Sequence, residues 1–384
     1  MSRFLPYIGI GAALLMFGSI VVVANQFSTV SYSPTPISPS ASSTLSVLPN
    51  ATLPAITLPA LLPPATTTAT TTTTVKKVPK VSTKAAQVVA PQATPTPPAA
   101  PVATFASMNA SLDATASTLR NALVNIVCYA PSGSGVHSIS GSGVMIDSKG
   151  IILTNAHIGQ YFLLANRDVS CTIRTGNPAV NAYTAALIYV SPSWINANAT
   201  VLTQTAPTGT GEYDFAFLAV TKSTNSTPLP AAFPSISLAE TPPAKGAPVV
   251  IASYGAQFLE ASQIQSSLYP TVVFGSVKDV YTFAARTVDV LALGGSAAAQ
   301  EGSSGGGVAD ASGMLVGTIT TSTVEGTTDT RSLDAITASY IRAEYASEMG
   351  STLDELLLES VPQAVADFAP QIPKLEAIIT AQLK

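Results

Sequence analysis

From VNIVCYA at 124–130 to about Tyr345 the chain repeats one pattern: a short, β-branched, apolar run followed by a cluster of Gly, Ser, Thr or Pro. GVMIDS, IILTNA, VSCTIRT, AALIYV, DFAFLAV, APVVIASYG, TVVFGSVKDVYTF, VDVLAL and MLVGTITTS are such runs. β-Branched and aromatic residues fit a pleated, half-buried surface, while Gly and Pro punctuate the runs. Many short strands separated by turn signals predict an all-β barrel or sandwich rather than a sheet built from βαβ units.

The flanks have different compositions. Leu5 to Ala24 (LPYIGIGAALLMFGSIVVVA) carries no charge over 20 residues, about the length a helix needs to cross a bilayer. Arg3 precedes it and no Lys or Arg follows before Lys76, so residues 1–4 are expected in the cytoplasm and the rest outside. A cleavable signal peptide ending near Val22-Val23-Ala24 is the other reading, and both imply export. Residues 25–104 reduce largely to Pro, Thr, Ser, Ala and Val, with ATTTATTTTTV at 65–75 and PQATPTPPAAP at 91–101. Such a segment cannot bury enough apolar surface to offset its backbone entropy, so it is expected as a disordered tether or stalk. Order is expected from residue 105, where MNASLDATASTLRNAL has helical spacing. Residues 346–384, including STLDELLLE and PKLEAIITAQLK, read as a helical C-terminal cap or tail.

With 10% charged residues and a net charge of −4, the chain has no electrostatic footprint for nucleic acid. The two histidines, His137 and His157, and two cysteines are too few for a zinc site, so no metal or other cofactor is expected. Cys128 and Cys171 lie in strand-like runs and are either a single disulfide, if exported, or two buried thiols.

Three short segments carry the chemistry. GSGVMIDSKGIILTNAHI (141–158) holds two apolar strands around a DSKG turn, the second leading to His157. Tyr213-Asp214-Phe215-Ala216-Phe217-Leu218 puts an acid at the head of an apolar strand. Glu301-Gly302-Ser303-Ser304-Gly305-Gly306-Gly307 surrounds a serine with glycines. Amide hydrolysis by serine needs a base for the hydroxyl proton, an acid to orient that base, and N–H groups for the oxyanion. In the order His, Asp, Ser, each in strand context, the segments can supply all three. His137, in GSGVHSIS, lacks such context and reads as a surface strand residue.

TNAH, YDFAFL and GSSGG resemble the histidine, acid and nucleophile boxes of trypsin-like serine peptidases, and the first box most resembles the HtrA/Deg branch. The resemblance implies two six-stranded antiparallel β-barrels, at 105–225 and 226–345. It also implies a catalytic triad of His157, Asp214 and Ser304, with the N–H groups of Gly302 and Ser304 as oxyanion hole. There are departures from the family pattern. Residues 346–384 are too few and too helical for a PDZ domain. Ser303 stands where digestive relatives carry an aspartate that captures a freshly cut amino terminus, so other contacts have to order the oxyanion loop. Gly307 stands where proline is common. Counting six residues back from Ser304 puts Ala298 at the base of the primary specificity pocket, with Thr318 and Thr320 as its opposite wall.

The expected function is a serine endopeptidase acting on exported or surface polypeptides, tethered to the membrane through the N-terminal helix or secreted if that helix is cleaved. The alternative is an inactive trypsin-like fold serving as an extracytoplasmic binding module.

Overall fold

The computed structural model describes residues 105–204, 209–283, 287–322 and 326–383. The expected anchor at Leu5–Ala24 and the tether at 25–104 lie outside these residues. Among the described residues, no helix is long and apolar enough to cross a membrane.

Helix α1 (Phe105–Ala122) buries Leu112, Ala116, Leu119 and Ala122, one face of a helix by their spacing. It packs on both sheets of the molecule. The first sheet comprises β1 (Leu123–Tyr129), β2 (Ile139–Asp147), β3 (Ile151–Thr154), β4 (Ser170–Gly176), β5 (Ala179–Val190) and β6 (Ala216–Ser223). It closes as a barrel in the order β1-β2-β3-β6-β5-β4, antiparallel throughout. The DSKG turn behaves as its residues dictate. Asp147 accepts from the Lys149 N–H (2.7 Å) through its side chain and from the Gly150 N–H (3.0 Å) through its carbonyl. Gly150 takes φ +88°, a conformation open to glycine. Cys128 and Cys171 face each other on β1 and β4 and form a disulfide.

A connecting segment buries Phe233, Ile236 and Leu238 while crossing to the second sheet. That sheet comprises β7 (Pro248–Ser253), β8 (Thr271–Ser276), β9 (Asp279–Tyr281), β10 (Val290–Ala292), β11 (Gly307–Asp310), β12 (Leu315–Ser322) and β13 (Leu333–Thr337), in the order β8-β7-β11-β12-β13-β10-β9. It departs from the expected six-stranded closed barrel. Its edge strands β8 and β9 are successive pieces of chain separated only by Val277 and Lys278. The Val277 N–H donates to Ala247 O (3.0 Å) on one side, and the Lys278 N–H donates to Ala292 O (2.7 Å) on the other. A single bent strand thus bonds to both ends of the sheet without a continuous ladder.

Short helices α2 (Ala156–Gly159), α3 (Pro192–Asn198) and α4 (Ala261–Ser266) lie between strands, and the C-terminal helices are α5 (Ala338–Met349), α6 (Leu353–Leu358), α7 (Val361–Phe368) and α8 (Ile372–Thr380). The C-terminal helices pack into the core, as a cap rather than a trailing tail. Tyr189 on β5 meets Phe215, Tyr345 and Phe368 at ring separations of 5.4, 4.9 and 6.2 Å. Leu353, Leu356, Leu375 and Ile379 are buried in the same cluster. Aromatic side chains of this size contribute heavily to core stability through buried area and offset or edge contacts. His137 is exposed as expected, but in the loop before β2 rather than in a strand.

Candidate active site

Strand β3 ends at Thr154, and the chain turns at Asn155 into a four-residue helix, α2 (Ala156–Gly159), that carries His157. The acid arrives from the other direction. Tyr213 adopts φ +57°, unusual for a side chain of its size, and its N–H donates to Tyr340 Oη on α5 (3.0 Å). Burial pushes the Tyr340 phenol well above its ordinary pKa. This bend sets Asp214 at the mouth of β6, where its side chain is 7% exposed.

Asp214 holds His157 at two points. One carboxylate oxygen, Oδ1, accepts the His157 backbone N–H (3.0 Å), and the other, Oδ2, lies 2.8 Å from Nδ1 of the ring. An ionised carboxylate only accepts, so this geometry puts the ring proton on Nδ1 and leaves Nε2 as the acceptor nitrogen. Asn155 Nδ2 donates to the Asp214 carbonyl (2.9 Å), tying the two segments together a second time.

Ser304 lies in the turn before β11 and is half-buried. Among the described residues neither its Oγ nor His157 Nε2 has a hydrogen-bond partner. The turn needs glycine where it approaches other backbone. Gly302 has φ +89°, and a Cβ there would lie 2.7 Å from Tyr254 O. Gly305 has φ +83°, and a Cβ there would lie 2.0 Å from Ser142 O. The N–H groups of Gly302 and Ser304 have no acceptor among the described residues, as donors awaiting an oxyanion would not.

The contacts that order this turn are visible. Ser253 Oγ donates to Ser303 Oγ (3.0 Å), both buried. The Ala256 N–H donates to Glu301 O and the Gly306 N–H to Ser303 O, at 2.8 and 2.9 Å. Ser142 on β2 reaches across from the first barrel, its Oγ donating to Gly302 O (2.8 Å) and its N–H to Ser304 O (2.8 Å).

The pocket-wall expectation for Thr318 and Thr320 is not met. Thr318 is fully buried and donates to Gly306 O (3.1 Å), inside the sheet behind the serine. Thr320 donates to Asp214 Oδ2 (2.8 Å), so its hydroxyl is spent on the acid rather than on a substrate side chain. Alternate residues of a strand share a face, and the face these two share points at the acid and the serine turn. Ala298 is fully buried among Val308, Ile319, Leu333 and Ala335. The buried Arg331 beside it donates to Ala299 O (2.9 Å), Gly326 O (2.9 Å) and Gln257 Oε1 (2.6 Å). Sequence reasoning missed Ser142, Ser253, Thr320 as an acid partner, and Arg331. Ser142 did carry a local signal, a polar residue between two glycines just before the apolar run Val144-Met145-Ile146.

Residues 141–317 match the family model described as trypsin-like peptidase domain. No curated protein matches the chain in sequence. Among solved structures, the chain is similar to the active form of the Rv3671c protease from M. tuberculosis at 20% identity and a TM-score of 0.40, over 69% of this chain and 96% of that one. It is similar to the inactive form of the same protease at 19% identity and a TM-score of 0.37, over 65% and 99%. The match over 141–317 runs from β2 through the histidine and the nucleophile turn into β12, and marks this part of the chain as a trypsin-like serine peptidase domain.

Proposed function

We propose that this peptidase cleaves exported or surface polypeptides through an acyl-enzyme on Ser304. His157 Nε2 takes the Ser304 proton as Oγ attacks the scissile carbonyl, and then returns it to the leaving amine. Asp214 fixes the ring and balances the imidazolium that forms, while the N–H groups of Gly302 and Ser304 bind the oxyanion. The observation that carries this reading is the double hold of Asp214 on His157, with Oδ1 on the main chain and Oδ2 on Nδ1. It leaves one ring nitrogen free as a base. Contacts between base and nucleophile commonly tighten only when substrate is bound.

The Cys128–Cys171 disulfide supports the extracytoplasmic assignment, because such bonds persist in oxidising compartments. The uncharged run at 5–24 supports it independently. Attachment to the membrane rests on that run alone.

The test is labelling of the full chain with a fluorophosphonate, alongside hydrolysis of an unfolded protein. Ser304→Ala is expected to abolish labelling, and Ser304→Ala, His157→Ala and Asp214→Asn each to lose about 10⁴ or more in turnover. Wild-type hydrolysis in any of the three would remove that residue from the mechanism. Fusion of residues 1–104 to a reporter active only outside the cytoplasm tests export separately.

A further inference from the structure

We propose that Ser142, on the first barrel, is a positioning residue that sets the oxyanion-binding amides of the second. The inference deepens the reading above and rests on it.

The geometry follows from the planarity of the peptide bond. In a trans peptide the carbonyl and the following N–H point in opposite directions, so fixing one aims the other. The Gly302 N–H belongs to the peptide whose carbonyl is Glu301 O, and that carbonyl is held by the Ala256 N–H at 2.8 Å. The Ser304 N–H belongs to the peptide whose carbonyl is Ser303 O, held by the Gly306 N–H at 2.9 Å. What remains is to keep the neighbouring peptides, Gly302–Ser303 and Ser304–Gly305, from rotating. Ser142 does this at both. Its Oγ holds Gly302 O at 2.8 Å and its N–H holds Ser304 O at 2.8 Å, bracketing the Ser303–Ser304 peptide.

The same hydroxyl also accepts the Tyr254 N–H at 2.8 Å. Tyr254 is two residues before Ala256, whose N–H aims the first oxyanion amide. One buried oxygen therefore joins the two backbone segments that orient the Gly302 N–H, as donor to one and acceptor from the other. Its own position is fixed in turn, because Thr154 Oγ1 donates to Ser142 O at 2.8 Å, three residues before His157. Ser142 and Thr154 are both 0% exposed, so water cannot replace either bond. In this chain the residue before the nucleophile is Ser303, which carries no charge to anchor the loop. The anchor is instead the first barrel's own strand, built into the fold without a cleavage event.

The experiment compares Ser142→Ala and Ser142→Cys with wild type in the full chain, scoring kcat per titrated site, KM, thermal midpoint, and inhibition by a peptide aldehyde and by the matching non-covalent peptide. Alanine deletes the hydroxyl, and cysteine keeps similar volume with a weak donor. Removing an oxyanion donor outright costs about 10²–10³ in kcat, so loosening two of them through their support is expected to cost about 10–100-fold. KM should stay within about threefold. Aldehyde affinity should fall in parallel with kcat/KM, because its adduct places an oxyanion in the hole, while affinity for the non-covalent peptide should not change. Wild-type kcat per site in either variant that folds would overturn the proposal. So would equal losses for the aldehyde and the plain peptide, or an Ala variant that fails to fold while the Cys variant turns over normally. Ser304→Ala run in parallel separates the two readings. Hydrolysis surviving in Ser304→Ala refutes the nucleophile assignment, whereas a dead Ser304→Ala beside a fully active Ser142→Ala refutes only the role of Ser142.

Discussion

Thr320 donates its hydroxyl to Asp214 Oδ2 at 2.8 Å, the same oxygen that faces His157 Nδ1 at 2.8 Å. The second sheet thus reaches into the first barrel's acid–base pair at one point, just as the first barrel's Ser142 reaches into the second sheet's serine turn at another. The two halves hold each other's chemistry in place. This reciprocity explains why the histidine and acid can lie on one sheet and the nucleophile on the other.

The Thr320 bond has a measurable role. Hydrogen bonds to charged groups contribute about 1.5–3 kcal/mol, and Thr320 is 5% exposed, so its loss is not made good by water. Thr320→Val keeps the side chain's shape and removes the bond. It is expected to lower kcat about 3–30-fold with KM nearly constant, because Asp214 balances an imidazolium that forms only during turnover. A KM effect without a kcat effect would return Thr320 to the substrate pocket.

The disulfide should matter for stability but not for chemistry. It closes a loop with a sequence separation of 43, for which the chain-entropy model gives up to about 4 kcal/mol. Replacing both Cys128 and Cys171 by Ala is expected to lower the thermal midpoint by about 5–15 °C. kcat per titrated site should be unchanged, since neither sulfur touches the triad. A midpoint shift under about 2 °C would show that the unfolded chain gains little from the crosslink.

Stability should also decline with rising pH through Glu344 on α5. Burial raises its carboxyl above the ordinary value, and Glu348, Asp289 and Glu212 add to the effect. An acid raised in the folded state keeps a proton that the unfolded chain releases, so between the two values the folded state binds more protons. The sign is then a loss of stability as pH rises from about 4.3, the ordinary glutamate value, through the raised one. Glu344→Gln is expected to raise the thermal midpoint near about pH 7 and to leave it unchanged near about pH 3, where the wild-type carboxyl is already neutral. An equal gain at both pH values would mean that the charge is not the cause.

Much of this was legible in the chain because it is local. The DSKG turn, the strand that leads to His157 and the glycine-flanked serine are each written in a few adjacent residues, and their order names the chemistry. The pairings that support the site are not local. Thr320 meets Asp214 across 106 residues, and Ser142 meets Gly302 across 160. No periodicity records such a meeting. The misplacement of Thr318 and Thr320 has the same root: strand alternation shows that they share a face but not which neighbour the face meets. The C-terminal segment reads as helix from its pattern, but its docking depends on Tyr189 meeting Tyr345 and Phe368, which only the assembled fold brings about.

Substrate preference is the last expectation open to test. Ala298, six residues before Ser304, is fully buried and offers only a methyl group. The charged group nearest to it in the hydrogen-bond network is the Arg331 guanidinium, which donates to the carbonyl of Ala299. A substrate Arg or Lys bound there would be desolvated without a carboxylate and beside a like charge, which is costly on both counts. An acidic side chain would have to draw Arg331 away from the carbonyls of Ala299 and Gly326 and from Gln257, since those bonds occupy the guanidinium. Uncharged side chains of small or medium size meet neither obstacle. Cleavage is therefore expected after residues such as Ala, Val or Leu. Selectivity among them should be broad, because one methylene in an apolar pocket contributes only about 1–3 kcal/mol. Mapping the cut sites in an unfolded protein checks this. Dominant cleavage after Arg or Lys would overturn the placement of Ala298, and dominant cleavage after Asp or Glu would show that Arg331 exchanges its carbonyl partners for a substrate carboxylate.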